Sequence, residues 1–382
     1  MSLFPPFTTE HELFRQSVRT FAEREIGPYG EQWDADRYFP DDLFRKAGQQ
    51  GYFGLRFGEQ YGGLGLDYWY VGIMIEELIR GRNVGAVVGL LIQCEMATSV
   101  IHKFGSEALK REFLVPAIRG ERIAALGISE PGAGSDAAAI RTTARRDGDD
   151  YVINGQKTFI TNGRRADFVT LAVRTGGPGP GGISIIMVPA DARGFTRGRD
   201  LRHTIVPSSD MAELFFEECR VPARNLVARE NEGFGYIMDL FQGERLVLAY
   251  IINSLAWEMI QDALGHMRQR SAFGKKLAEM QVWRHRFADV LTDLEASRLL
   301  TYRATDLLNR AEPEADVTVS MARLFAAEFI RRAATECAQV FGGYGLMDEY
   351  WIARAVIGVH GFGVGAGTQE IQREIIARRR IG

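Results

Sequence analysis

The sequence predicts a helical domain, then a β domain, then a helical bundle. Three observations carry this. Near the start, apolar residues fall at helical spacing, as at Leu13, Phe14, Val18, Phe21 and Ile26. Between Arg122 and Arg229 that period gives way to β-rich runs punctuated by turn dipeptides. From Gly233 onward long helical periods return. At 382 residues the chain exceeds a single simple core, so two or three domains are expected. The divisions fall at residues 1–122, 123–229 and 230–382.

In the first part, Thr9 precedes a helix, and Gly51–Gly65 forms a glycine-rich turn region. Tyr68–Arg80 and Ala86–Phe104 are expected as buried helices, and Pro116 and Gly120 close the region. In the second part, "RDGDDYVINGQKTFITNG" holds two turn signals, Asp147-Gly148 and Asn154-Gly155. "FVTLAVRT" and "ISIIMVPA" are expected strands joined by a flexible "GGPGPGG". "AELFFEECRVP" alternates and should stop at Pro222. In the third part, helices are expected over Phe234–Arg270, Gln281–Arg310 and Val317–Phe341, broken by Gly342–Gly345. A last helix should start near Thr368 as N-cap and end in Arg378, Arg379 and Arg380, which complement its dipole.

Bulk properties exclude several classes. The net charge of −3 argues against nucleic-acid binding, which needs a basic excess. Cys94, Cys219 and Cys337 lie far apart, without CxxC spacing, so a reducing, cytoplasmic setting is expected. Six histidines without ligand spacing predict no metal. The start, "MSLFPPFTTEHELF", lacks the basic and apolar regions of a signal peptide. The longest apolar stretch, around Val84–Cys94, is expected to be too short for a membrane span. There is no GxGxxG at a strand–helix junction to suggest a Rossmann site.

Two motifs in the β region could carry chemistry. In "LGISEPGAGSD" (126–136), small residues such as Gly134 let the backbone approach a ligand, and Ser129 and Ser135 add hydroxyls. "KTFITNG" (157–163) places Phe159, Ile160 and Thr161 on a strand running into an Asn-Gly turn. Each alone also fits an ordinary turn or strand. Four further stretches follow in order: "CRVPARNLV" (219–227), "RSAFGKKLAEMQ" (270–281), "QVFGGYGLMDEY" (339–350) and "GTQEIQREIIAR" (367–378). Together the six, spread over nearly the whole chain, resemble the acyl-CoA dehydrogenase family.

The resemblance implies that family's fold: an N-terminal all-α domain, a middle barrel-like β domain and a C-terminal four-helix bundle, assembled as a homotetramer (a dimer of dimers). It also implies FAD, lying between the β domain and the bundle and held in part by a neighbouring subunit. Leu126, Ile128 and Ser129 would face the flavin, with Gly134 and Ser135 nearby, and Phe159, Ile160 and Thr161 would flank it. Arg270, Phe273, Gln281, Gln339, Gly342 and Gly343 would bind the pyrophosphate and adenosine portion across a subunit interface. Thr368 and Glu370 would meet the cofactor at the last helix, whose N-terminus favours anionic groups. Ser135, Arg245, Ala366 and Gly367 would meet the substrate.

The family reaction needs a carboxylate that removes the α-proton of an acyl thioester. Many members carry it directly before the Gly-Thr of the last helix, where this chain has Ala366. The isovaleryl-CoA and long-chain types carry it on the first long bundle helix, directly before an Arg. In "LFQGERLVLAY" that residue is Glu244, before Arg245. Helical spacing puts Glu244 on one face with Ile237, Phe241, Leu248, Ile251, Leu255 and Met259. A carboxylate in such a stripe is costly unless paired or used. The alternative use is a buried ion pair. Ala366 would then offer its backbone N–H to the thioester carbonyl.

Three departures from the family pattern stand out. Ile357-Gly358-Val359-His360 replaces the usual Arg-Asp run, Gln242 replaces an Asp, and Pro207 replaces an Arg. They leave the thioester carrier open between coenzyme A and an acyl carrier protein. "GLLIQCEMATSV" (89–100) fits an acyl pocket and core packing equally well. The expected acceptor is an electron-transfer flavoprotein. An oxidase, a flavin monooxygenase relative and a non-catalytic scaffold are the competing readings.

Overall fold

The computed structural model describes residues 5–382; Met1–Phe4, where the start was read as lacking a signal peptide, lie outside them. The chain opens with α1 (Thr9–Glu25), α2 (Gly30–Asp36), α3 (Asp42–Gln49), α4 (Tyr68–Leu78), α5 (Val84–Leu91), α6 (Ser99–Phe104), α7 (Glu107–Leu109) and α8 (Val115–Ile118). Seven strands follow: β1 (Ala124–Gly127), β2 (Thr143–Asp147), β3 (Asp150–Thr161), β4 (Phe168–Arg174), β5 (Ile183–Pro189), β6 (Phe195–Asp200) and β7 (Met211–Pro222). Then come α9 (Gly233–Gln269), a hairpin of β8 (Ser271–Ala272) and β9 (Lys275–Lys276), α10 (Gln281–Asn309), α11 (Ala315–Phe341), α12 (Trp351–Gly358) and α13 (Gln369–Arg380). By internal contacts the chain forms two compact units, one of Met1–Glu31, Tyr68–Arg82 and Arg245–Gly382, the other of Gln32–Asp67 and Asn83–Glu244.

The second unit is built on the sheet, in the order β1-β4-β2-β3-β7-β6 with β5 on β4. β4 and β5 are buried on both faces, which explains their unbroken apolar sequence. Buried polar side chains tie helices to strands. Gln93 accepts from the Ala124 N–H at 2.7 Å and donates to the Arg122 and Ala117 carbonyls. Asn162 donates to the Gly89 and Ala124 carbonyls.

Two expectations are corrected in this unit. Asn154-Gly155 is not a turn. It lies inside β3, where the pairing with β7 slips between Ile153 and Gly155. Gly155 has φ +146°, and a Cβ there would stand 2.6 Å from the Thr142 Cα. The glycine therefore serves a bulge. The apolar stretch near Val84 is also longer than expected: the helical run Val84–Phe104 has the length and composition of a membrane span. It continues through a wide turn at Ile92–Ala97, and 78% of its apolar window is buried inside the protein. Gln93 and Glu95 interrupt the apolar run in sequence, yet both are buried and bonded. Interior packing thus accounts for the helix's apolarity.

In the first unit, α4 packs closely on α9. A Cβ on Gly72 would come 2.4 Å from the Tyr250 ring, and Tyr250 shares a 2.8 Å hydrogen bond with Thr305 on α10. Buried Glu77 on α4 holds Arg15 and Arg19 of α1 at 2.9 and 2.8 Å. The single apolar stripe expected on α9 is also corrected. Ala249 through Ser254 are buried at six consecutive positions, which cover every face of the helix. A central helix has no solvent face to set against a core face.

Candidate active site

The motif at 126–136 leaves the end of β1, which has one strand neighbour, β4. Leu126 and Ser129 are half-buried, Ile128 is buried, and Gly134 and Ser135 are exposed. A second bulge lies opposite. Between Lys157 and Ile160 the register of β3 slips by one residue against β7. The extra residue brings Phe159 to φ +59° with 65% of its surface exposed. A bulky residue in the left-handed region costs of order 1–2 kcal/mol, and such strain collects at functional sites. Thr161 is half-buried, Ile160 is core, and Asn162 at φ +62° starts the expected turn.

The two segments are stitched together. The Thr158 N–H donates to the Ser129 carbonyl at 3.0 Å. The Lys157 ammonium, its side chain wholly buried, donates to the Ile128 carbonyl at 3.0 Å and to Glu130 Oε1 at 2.8 Å. Glu130 also accepts from the Arg141 and Thr142 N–H groups. Burial pushes the Lys157 ammonium down to about 8, against the attraction of Glu130. Burial alone would raise the Glu130 carboxyl, but Lys157 and its hydrogen bonds hold it below the ordinary range. Sequence reasoning missed this pair. Both residues stand in the quoted motifs, and nothing local marks them as buried.

Glu244 belongs to the same unit, on α9. It is half-buried. Nearly one turn earlier, Phe241 packs on the core cluster that contains Ile128, which Leu126 also borders. The next residue, Arg245, is 7% exposed and belongs to the first unit.

The remaining residues also lie in the first unit. Arg270 is exposed at the end of α9. Phe273 and Gly274, at φ +53° and +75°, turn the β8–β9 hairpin, as a two-residue loop requires. Phe273 is 99% exposed. Gln281 starts α10, and Gln339 shares a cleft of about 470 Å³ with Val282, Trp283 and Arg286. Gly342 and Gly343 end α11 with open space around them. Thr368 caps α13, accepting from the Ile371 N–H, as expected. Glu370 is exposed, its carboxyl held low by hydrogen bonding to its own backbone N–H and to Thr368. Ala366 and Gly367 both adopt positive φ, +55° and +84°.

A strand with one strand neighbour, a protruding aromatic and hydroxyls at Ser129 and Thr161 fit an amphipathic ring system such as a flavin. Glycines without neighbours at 134, 342 and 343 fit close backbone approach to the rest of such a cofactor.

Family models agree over nearly the entire chain. The acyl-CoA dehydrogenase N-terminal domain matches residues 8–121, the middle domain 125–219 and the C-terminal domain 231–381. The chain belongs to the acyl-CoA dehydrogenase family. It has that family's three-domain fold: helical, curled sheet, helical. The mitochondrial long-chain specific acyl-CoA dehydrogenase of Sus scrofa is 36% identical over 98% of this chain and 87% of its own. A short-chain specific acyl-CoA dehydrogenase of Clostridium acetobutylicum is 35% identical over 97% of both chains. A probable acyl-CoA dehydrogenase of Mycobacterium abscessus superposes with a TM-score of 0.95 at 39% identity, covering 98% of this chain and 99% of its own. The family is one of FAD-dependent oxidoreductases.

Proposed function

We propose that the protein dehydrogenates an acyl thioester between its α and β carbons, with Glu244 as the base. One observation carries the reading: α9 places a half-buried carboxylate in the same unit as the wall formed by Leu126–Ser129 and Phe159, while Ala366 leaves no acid before the last helix. Glu244 takes the α-proton on a carboxylate oxygen. FAD, when bound, would supply the acceptor for the hydride lost from the β-carbon as the C–C double bond forms. Ser129 and Thr161 would donate to its heteroatoms and Phe159 would lie against its ring, while the Lys157–Glu130 pair keeps the wall in place. Ala366 donates its N–H to the thioester carbonyl, and no side chain is needed for that. Ser135, Arg245 and Gly367 contact the rest of the thioester.

The base on α9 goes with branched or longer acyl groups, carried on coenzyme A or an acyl carrier protein. Arg270, Phe273, Gln281, Gln339, Gly342 and Gly343 hold the cofactor of a neighbouring copy in a homotetramer. Thr368 and Glu370 meet the cofactor at the start of α13. Electrons then pass to an electron-transfer flavoprotein. Three buried free thiols suit a reducing cytoplasm. The test is anaerobic mixing of holoenzyme with a panel of acyl-CoA and acyl-carrier thioesters. Bleaching of the flavin band by at least one branched or longer thioester is expected. A flavin that none of them bleaches contradicts the proposal, and peroxide released in air marks an oxidase instead.

A further inference from the structure

The glycine-rich run Gly361–Gly367 follows the stretch where Ile357–His360 replaces the family's Arg-Asp run, and it is firmly held. Its brace comes from α11. Arg323 is the largest fully buried side chain among the described residues, at 1% exposure. Its Nη2 donates to the Phe362 carbonyl and, at 3.0 Å, to the Gly365 carbonyl. From the other side, wholly buried Gln372 on α13 donates to the Gly367 carbonyl at 3.1 Å and to the Ala366 carbonyl at 3.4 Å. Four carbonyls of the run are thus turned inward. Arg331 passes close to Gly363, where a Cβ would stand 2.3 Å from its Nη2. The N–H groups of Ala366 and Gly367 have no acceptor among the described residues. Ala366 is held in the left-handed region, which a residue with a Cβ would leave in a free chain.

We propose that Arg323 is a positioning residue for the reaction: by fixing the carbonyls of Phe362 and Gly365 it sets the backbone of Gly365–Gly367 and so aims the Ala366 N–H. The inference rests on the reading above that this N–H meets the thioester carbonyl. A guanidinium suits the task because it offers several donors in one rigid plane and keeps its charge when buried. An N–H donor displaced by a fraction of an ångström no longer matches the oxygen on which charge develops.

The test uses holoenzyme of wild type, Arg323→Lys and Arg323→Gln. Each is checked for FAD content and unfolding midpoint before kinetics. Lysine keeps a donor but loses the planar fork, so kcat should fall about tenfold while KM moves little; glutamine should lose about a hundredfold, the size of effect that misplacement of about 1 Å produces. A thioester with sulfur in place of its β-carbon gives a second readout. It can lose its α-proton but cannot be dehydrogenated, and the resulting enolate gives a charge-transfer band with the flavin. That band should weaken in the order wild type, lysine, glutamine, at equal FAD occupancy. A merely structural role would lower FAD content or melting temperature and leave the band per bound FAD unchanged. Wild-type kcat and band in Arg323→Lys overturn the proposal, even if the glutamine variant fails to fold. If wild type itself is not bleached by any thioester, the functional reading has failed and not this one.

Discussion

Lys157 shows how one side chain can hold a site that it does not enter. Its ammonium joins Ile128 to Glu130, and its partners lie 29 and 27 residues away in the chain. In sequence it looks like any lysine on a strand, because the wall that buries it is formed by distant elements. Arg323 was hidden for the same reason. The proposal of Glu244 rests on flanking residues that match a family pattern, whereas the helical-stripe argument for it did not survive the burial of α9 on all sides. Replacing Lys157 with Met should leave the buried Glu130 carboxylate without its cation and cost about 3–5 kcal/mol in chemical denaturation. Adding Glu130→Gln should recover most of that loss, since the charge is removed with its partner. Equal stability of the single and double variants would contradict the pairing.

Among elements, periodicity located α9, α10 and α11 to within about two residues, since a 3.6-residue period sustained over 27 residues or more leaves little ambiguity. The register slips between β3 and β7 were not legible. Asn-Gly promotes a hairpin turn by local preference, and only the partner strands set Gly155 inside β3, opposite an extra residue of β7. Gly155→Ala should therefore cost about 1–3 kcal/mol, because the new Cβ meets the Thr142 backbone; thermal unfolding measures it. A second link is sensitive to pH. His102 on α6 accepts the Gly58 N–H at Nε2 and stacks on Phe57 with ring centroids 4.7 Å apart, pinning the glycine turn region. Burial first, then Lys110 and Arg56, hold its imidazole below the usual histidine range. The unfolded chain therefore takes up this proton before the folded one, so the contribution of His102 to stability is lost as pH falls through the unfolded value of about 6.5. Unfolding midpoints should drop less between about pH 8 and pH 5 in His102→Gln than in wild type. Parallel curves for the two would rule out the link.

At the scale of the whole molecule, the order helices, sheet, helices follows from hydrophobic period alone. The cofactor and the base do not. They rest on motif spacing across nearly the entire chain, which no single segment carries. Phe273 belongs to this scale as well. A phenylalanine with 99% of its surface exposed gives its own chain no packing energy. Phe273→Ala should change the unfolding midpoint of the FAD-free chain by no more than about 0.5 kcal/mol equivalent. With the hairpin holding a neighbouring copy's cofactor, as proposed, it should still lower both FAD retention and the assembled fraction in gel filtration with light scattering. Unchanged assembly and FAD content would remove the hairpin from the cofactor site. The proposal that Glu244 is the base is tested most directly by the anaerobic rate of flavin bleaching in Glu244→Gln holoenzyme. With FAD bound and thioester still binding, the rate should fall by about 10²–10⁴, the loss expected for a positioned general base. Bleaching at the wild-type rate would show that another group takes the proton.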